Sequence, residues 1–467
     1  MKTKQQKNSN KLSGYVILVS CAAALGGLLF GYDTAVISGA IGFLTIKFSL
    51  TSSMVGWVTS CILIGCAVGV AIAGTVSDKF GRKKALLSSA IIFAVSSLGA
   101  ALATSVSILV FWRFLAGIGV GITSLLSPLY IAEIAPAHIR GRLVSLNQLA
   151  ITIGIFVVYF VNAWIASTST QTWNVNTGWR YMMGIGVLPS VLFLLFLIPA
   201  KESPRWLAGK GRSDEARNVL IKMDGSNQLV DNELAVIKAS LQCETNKLSD
   251  LFKKRLRPAL IIGVLLCIFQ QFSGSNAIMY YAPEIFKNAG FGQSSAYIAT
   301  VVIGATNMVL TIVSMGMVDR IGRKKLLGFG ALSMSICLLL VSISFYAHFS
   351  GLVVFIFILL SIAAYAVSLA PVTWVVISEI FPTQLRGRAM SICTVLLWLS
   401  DFLLTETFPI LTQGIGVATT FLLYTIITAI AAIFVWRVVP ETKNKSLEEI
   451  ESFWGKRLKK HEKNFSN

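Results

Sequence analysis

The side chains of this chain best suited to chemistry are polar groups stranded inside long apolar runs. Asp33 and Arg113 each fall in such a run, as do Gln148, Gln270, Gln271, Asn276, Asn307, Trp374 and Trp398. A carboxylate set into an apolar span costs about 2.5–3.5 kcal/mol on insertion scales, so Asp33 must find a cationic partner or take up a proton, and Arg113 is its natural partner. Side-chain amides both donate and accept hydrogen bonds, and a lone one in an apolar helix is most often glue between helices. Three of them within residues 270–276, beside Gly274 and two serines, form a different pattern. Glycine and serine weaken a helix locally, as expected where a span bends over a cavity. Tyr280 and Tyr281 follow about one turn later, placed to close that cavity from outside; an interfacial aromatic belt is their alternative role. Asp401 and Glu406 occupy a later apolar run. A water-filled vestibule near the outer face would accommodate both, and Asp401 could instead contact a substrate or serve as a second proton site.

The apolar runs themselves must be elements that position these groups. Hydrophobic residues make up 55% of the 467 and charged residues only 13%, against about 25% charged in soluble domains. The chain therefore belongs in a bilayer, where only helices and closed barrels satisfy the backbone. The runs are continuous rather than alternating, so helices are predicted. Twelve spans of about the required twenty residues can be drawn, the first over 15–38, the sixth over 180–199, the seventh over 259–286 and the last over 416–438. This gives an all-α integral membrane fold of two six-helix halves, 14–199 and 258–438, separated by a short helical linker, 200–257, and followed by a tail, 439–467. In the linker, SDEARNVL and NELAVIKASL have amphipathic spacing, with Ser213 as a helix start. The first run follows a basic stretch at 2–11, holds Asp33 and lacks a small-residue cleavage site, so it reads as a retained span rather than a signal peptide.

The halves are copies of one another. DKFGRKK at 78–84 returns as DRIGRKK at 319–325, an offset of 319 − 78 = 241, and AEIAPAHIRGR at 132–142 returns as SEIFPTQLRGR at 378–388, with 379 − 133 = 246 between the glutamates. Such repeats in a membrane chain mark a carrier whose halves rock about a central site. Asp78 with Arg82, Glu133 with Arg142, Asp319 with Arg323 and Glu379 with Arg388 recur in matching places. Together with Glu202, Arg205 and Glu441 they are expected to form a gating network at one face. Lys and Arg cluster in alternate loops, the terminal segments and the linker, so both termini are expected in the cytoplasm. That distribution accounts for the net charge of +19, and no nucleic-acid partner is expected. Enzymatic function is not expected either. The only histidines are His138, His348 and His461 in loops or the tail, and the seven cysteines, nearly all within apolar runs, lack metal or disulfide spacing.

Several motifs together carry a resemblance. LFGYDTAVISG from Leu29, the GRKK pair, ESPRWL from Glu202, QQFSGSNAIMYYAPEIF from Gln270 and PETKNKSLEEI from Pro440 resemble the sugar porter family of the major facilitator superfamily, over about residues 26–450. YYAPE and NTGWRYMMG from Asn176 are most similar to bacterial xylose and related monosaccharide–proton symporters. The resemblance implies sugar contacts at Gln148, Gln270, Gln271, Asn276, Asn307, Trp374 and Trp398, which suits a neutral ring of hydroxyls with an apolar C–H face. It also implies proton coupling at Asp33, where facilitative animal carriers have a neutral residue. The expected function is proton-coupled uptake of a monosaccharide, D-xylose or D-glucose first, across the plasma membrane, by a monomer using the proton gradient and no cofactor or metal. A facilitative uniporter and a transporter-like sensor are the alternatives; the roughly thirty residues after the last span are short for a signalling tail. Two positions depart from the family pattern: Leu397 stands where xylose symporters carry Gln, and Ala370 precedes Pro371 where Gly is usual.

Overall fold

The computed structural model describes residues 14–136, 139–224, 227–242, 251–253, 256–382 and 385–443. His138, His461, Cys243 and the tail from 444 onward lie outside them, as does the side chain of Asp319. The described residues are helical and contain no strand.

Twelve helices are long and apolar enough to cross a membrane: Gly14–Phe48, Ser52–Phe80, Arg82–Ala101, Val106–Ile134, Arg140–Thr168, Gln171–Leu197, Arg257–Asn288, Gln293–Val318, Arg323–Tyr346, Gly351–Glu379, Arg386–Gly414 and Val417–Val438. Each expected span is present, with two differences. The first span runs ten residues further than expected and ends where Lys47 donates to Asn176 Oδ1 at 2.7 Å. The sixth starts at Gln171 rather than 180 and includes a π-helical turn, Asn174–Gly178. This polar stretch reads as a loop, but Thr170 caps the backbone N–H of Trp173 and buried Asn174 donates to the Ala166 carbonyl at 3.0 Å. Between the sixth and seventh spans lie Pro204–Gly209, Ser213–Asp224 and Asn227–Gln242, and an Arg217–Asp231 ion pair of 2.9 Å ties the last two together.

Apolar side chains gain little by meeting one another in lipid, so helices in a membrane associate through close packing of small residues. The second and fourth spans meet in this way. A Cβ at Gly65 would stand 2.2 Å from the Phe114 carbonyl, and one at Gly117 would stand 2.1 Å from that of Ile62. Across the halves, the second span packs on the eleventh, the fifth on the eighth and the first on the seventh.

The repeated motifs fold into repeated structure. Gly81 (φ 99°, ψ 160°) and Gly322 (φ 98°, ψ 152°) turn the chain into the third and ninth spans, in a backbone region that is essentially glycine-only. Behind each lies a glutamate that neutralises the helix start. Glu202 accepts from the backbone N–H groups of Arg82 at 2.8 Å and Lys83 at 3.1 Å, and Glu441 does the same for Arg323 and Lys324 at 3.0 and 3.2 Å. The end of the bundle with these turns is called the basic end below. Replacing Gly81 by alanine would impose the backbone strain and drive a Cβ to within 2.2 Å of the Glu202 carboxylate. Gly81→Ala is expected to lose about 1–3 kcal/mol, seen as a lower thermal midpoint of the detergent-purified protein. Gly141→Ala, where a Cβ meets nothing within 4 Å, should hold the wild-type midpoint.

Candidate substrate and proton site

Three prolines inside spans remove backbone donors, and each freed carbonyl four residues earlier is taken by a hydroxyl from another span. Pro283 frees Met279 O (283 − 4 = 279), which accepts from Tyr159 at 2.7 Å. Pro409 frees Thr405 O (409 − 4 = 405), which accepts from Tyr281 at 2.9 Å. Pro371 frees Val367 O (371 − 4 = 367), which accepts from Ser314 at 2.8 Å. A break in the sixth span is repaired similarly, with Tyr32 donating to Met182 O at 3.0 Å. The spans can therefore bend without leaving these carbonyls unpaired. The seventh is interrupted at Gly274 (φ 82°) and the tenth at Ser368 (φ −122°, ψ −87°).

The sequence-predicted amides cluster at these interruptions. Gln270 and Gln271 are buried just before Gly274. Gln270 Nε2 donates to the carbonyls of Leu369 and Ala370 at 2.9 and 3.2 Å, bracing the tenth span beside its break, while its Oε1 has no protein partner. Gln271 Oε1 accepts from Asn276 Nδ2 at 2.6 Å. Trp398, fully buried, meets Phe30 of the other half edge-on at 5.1 Å, and its indole N–H is unpaired. Asn307 is buried with Oδ1 unpaired, whereas Gln148 and Trp374 are half-buried. Among the described residues, Gln148 and Asn307 make no hydrogen bond to the seventh-span amides. Four buried acceptors and donors without a protein partner, Gln270 Oε1, Asn307 Oδ1, Trp398 Nε1 and Asp401 Oδ1, are what a hydroxyl-bearing ligand would complete.

Asp33 and Arg113 are both buried at the wall between the halves, but the direct ion pair expected between them is absent. Arg113 instead donates from Nε to Val58 O at 3.0 Å and from Nη2 to Thr59 O at 3.3 Å. Its Nη1 and Asp33 Oδ2 have no protein partner. Both residues line two cavities of about 10 Å³, each the size of a single water molecule. Val58 and Thr59 carbonyls lay within the arginine's reach on the neighbouring helix, and sequence spacing could not rank them against the carboxylate.

The end away from the basic end is closed. Ser60 donates to Glu406 Oε2 at 2.6 Å, Tyr297 donates to Gly39 O at 2.6 Å, and the Tyr159–Met279 bond also joins the halves. A Cβ at Gly56 would lie 2.4 Å from the Glu406 carbonyl. Tyr280 and Tyr281 are buried within this closure. Tyr281 stacks on Phe408 at 5.0 Å, and Tyr280 donates to Asp401 Oδ2 at 2.9 Å; an interfacial belt is excluded for both. Nor does Asp401 sit in a vestibule, since it is fully buried.

At the basic end the described ion pairs lie within one half. Arg82 bonds Asp78 at 3.1 Å and grips Glu133 at 3.1 and 3.2 Å, while Arg323 bonds Glu379 at 3.0 Å, whose second oxygen accepts from Thr442 at 2.5 Å. The expected Glu133–Arg142 link is replaced by Glu133–Arg82, and Arg142 is exposed and pairs with no carboxylate among the described residues. Arg388 is exposed and Arg205 half-buried. Sequence reasoning missed Tyr159, Tyr297, Ser314 and Ser60, whose only sequence signal is a hydroxyl inside an apolar span.

A closed end, broken central helices and unpaired polar groups between two related halves define a membrane carrier of the major facilitator architecture. The chain belongs to the sugar transporter family: residues 19–454 match the family described as "Sugar (and other) transporter". It is 47% identical over 94% of its length to the arabinose-proton symporter of Bacillus subtilis (95% of that protein). It is 39% identical over 97% of its length to the D-xylose-proton symporter of Escherichia coli (98% of that protein). A partially occluded inward-open structure of the xylose transporter XylE from E. coli superposes with a TM-score of 0.85 at 38% identity, covering 93% of this chain and 100% of that one.

Tyr159→Phe removes the partner of the Met279 carbonyl at the closed end. The loss should be about 1–3 kcal/mol, a roughly 5–150-fold shift of the closed-to-open ratio. It should appear as faster thiol labelling of a Ser60→Cys reporter than in the reporter alone.

Proposed function

We propose that the chain is a proton-coupled symporter of a neutral monosaccharide, with the pentoses L-arabinose and D-xylose as its first candidates. It sits in the plasma membrane with both termini in the cytoplasm and works as a monomer, each chain holding both halves of one pathway. The observation that carries this reading is a shared wall. One water-sized cavity is lined by Asp33 and Arg113 of the first half and by Tyr280 and Trp398 of the second, so the proton site and an aromatic of the sugar site border the same space. The chain's similarity to an arabinose-proton symporter and a D-xylose-proton symporter supports the substrate class. Leu397, buried beside Trp398, supplies no amide where xylose symporters resemble one another, which broadens the candidates beyond D-xylose.

In this mechanism the sugar's hydroxyls complete Gln270 Oε1, Asn307 Oδ1 and the Trp398 indole N–H, with Gln148, Gln271, Asn276 and Trp374 as further contacts. A proton taken by Asp33 from outside frees Arg113 to hold the Val58 and Thr59 carbonyls. These precede Ser60, whose hydroxyl closes on Glu406, so protonation is transmitted along the second span to the outer closure. Loss of the proton on the inner side draws Arg113 back to the carboxylate and resets the carrier. The charged residues at the basic end, Asp78, Arg82, Glu133, Arg142, Glu202, Arg205, Asp319, Arg323, Glu379 and Arg388, are assigned to the cytoplasmic gate, and Tyr280 and Tyr281 to the outer one. One charge moving through 100 mV supplies about 2.3 kcal/mol, roughly fifty-fold accumulation.

Uptake of labelled D-xylose, L-arabinose, D-glucose and D-galactose into proteoliposomes, with and without an imposed proton gradient, tests the proposal. Wild type should concentrate at least one sugar above equilibrium, while Asp33→Asn should lose accumulation and keep counterflow exchange. Full accumulation by Asp33→Asn, or none by wild type, would contradict it.

A further inference from the structure

One buried acid has no place in the mechanism above. Asp401, in the middle of the eleventh span, is fully buried and no described basic side chain reaches it. Its Oδ2 accepts from Tyr280 at 2.9 Å, and its Oδ1 has no protein partner. Tyr280 in turn lines the water-sized cavity that Asp33, Thr59, Cys66, Arg113 and Trp398 share. Tyr280 therefore borders the cavity that Asp33 lines, while its hydroxyl rests on a second carboxylate that lies in the opposite half of the molecule from Asp33.

We propose that Asp401 is a second proton-binding carboxylate of this carrier, fed from the Asp33 cavity through a water and the Tyr280 hydroxyl. The proposal rests on the reading of the chain as a proton-coupled carrier and names a further residue for that function. The step balances. The Asp33 carboxylic acid gives its proton to water in the cavity, the water gives one to Tyr280 Oη, and the tyrosine passes its own hydroxyl proton to Asp401 Oδ2. One O–H bond breaks and one forms at each oxygen passed, the water and tyrosine end unchanged, and a single proton has moved from one half of the carrier to the other.

The groups facing Asp401 from each neighbouring span fit this assignment. The seventh span presents Tyr280 and Asn276, the eleventh Thr405, the second Cys66 and the tenth Tyr365. None of these is basic. The nearest cation of the cell, Arg113, is held on the Val58 and Thr59 carbonyls, and Glu406, one turn further on, is engaged by Ser60. A permanent salt bridge to Asp401 is thus not on offer, whereas a proton is. Asn276, a neighbour of Asp401, bonds Gln271 at 2.6 Å, so Asp401 lies beside the amide pair assigned to the sugar. A proton that reaches Asp401 turns that oxygen from acceptor into donor at the edge of the sugar site.

Infrared difference spectra of the full-length protein in liposomes, recorded through a pH titration with and without D-xylose or L-arabinose, test this. Two protonated-carboxyl bands should titrate. Asp33→Asn should remove one and Asp401→Asn the other, and Tyr280→Phe should shift the frequency of the second because its hydrogen bond is gone. If Asp401→Asn does not fold, the Tyr280→Phe shift carries the test. A wild-type spectrum retained in either variant would overturn the proposal. Counterflow of the same two sugars separates this from the functional reading. Exchange without an Asp401 band removes the relay alone, and an Asp401 band that shifts in Tyr280→Phe without any exchange supports the relay while removing the sugar assignment.

Discussion

A polar group in the hydrocarbon of a membrane has no water to fall back on, so each must be satisfied by the protein or by something the protein admits. That constraint organises this molecule. Prolines at 283, 371 and 409 bend three spans of the second half, and the carbonyls they release are each met by a hydroxyl from another helix. One of those hydroxyls, on Tyr159, reaches across from the first half, so repairing a bend also holds one end of the carrier shut. A bond to a backbone carbonyl of this kind can be made and broken without leaving a charge behind, which suits a contact that must open in every cycle.

The same constraint separates structural polar groups from functional ones. Gln270 spends its amide nitrogen on the tenth span and leaves its oxygen free, so it is both glue and candidate contact. Arg113 is satisfied at Nε and Nη2 by carbonyls and unsatisfied at Nη1, and it lines the same cavities as Asp33. The unpaired atoms are confined neither to one helix nor to one half. Three residues that carry them, Asp33, Arg113 and Trp398, line one cavity between the halves, which is where a carrier must pass both a sugar and a proton.

Much of this was legible in the sequence. Continuous apolar runs are local, so all twelve spans could be drawn, and the duplicated GRKK and RGR motifs carried the two-half architecture. The glycine before each GRKK helix was visible as a repeat, although the glutamates capping those helices, about 120 residues away, acquired that role only in three dimensions. Asp33 and Arg113 line the same cavities but share no bond, because the arginine's competing acceptors are backbone carbonyls that every residue possesses. Asp401 was expected in a wet vestibule and is sealed beneath Tyr280, since burial of one polar residue in an apolar span depends on which neighbour turns toward it. The folded start of the sixth span was hidden for a related reason: its polar residues look like a loop until their side chains are seen bonding the backbone.

The central claim, that the unpaired groups between the halves are the seats of sugar and proton, is tested most directly by a high-resolution structure of the protein with bound L-arabinose or D-xylose. The account predicts sugar hydroxyls against Gln270 Oε1, Asn307 Oδ1 and the Trp398 indole nitrogen, with an ordered water between Asp33 and Arg113. A sugar bound elsewhere, with those atoms paired to one another or packed against apolar side chains, would contradict it.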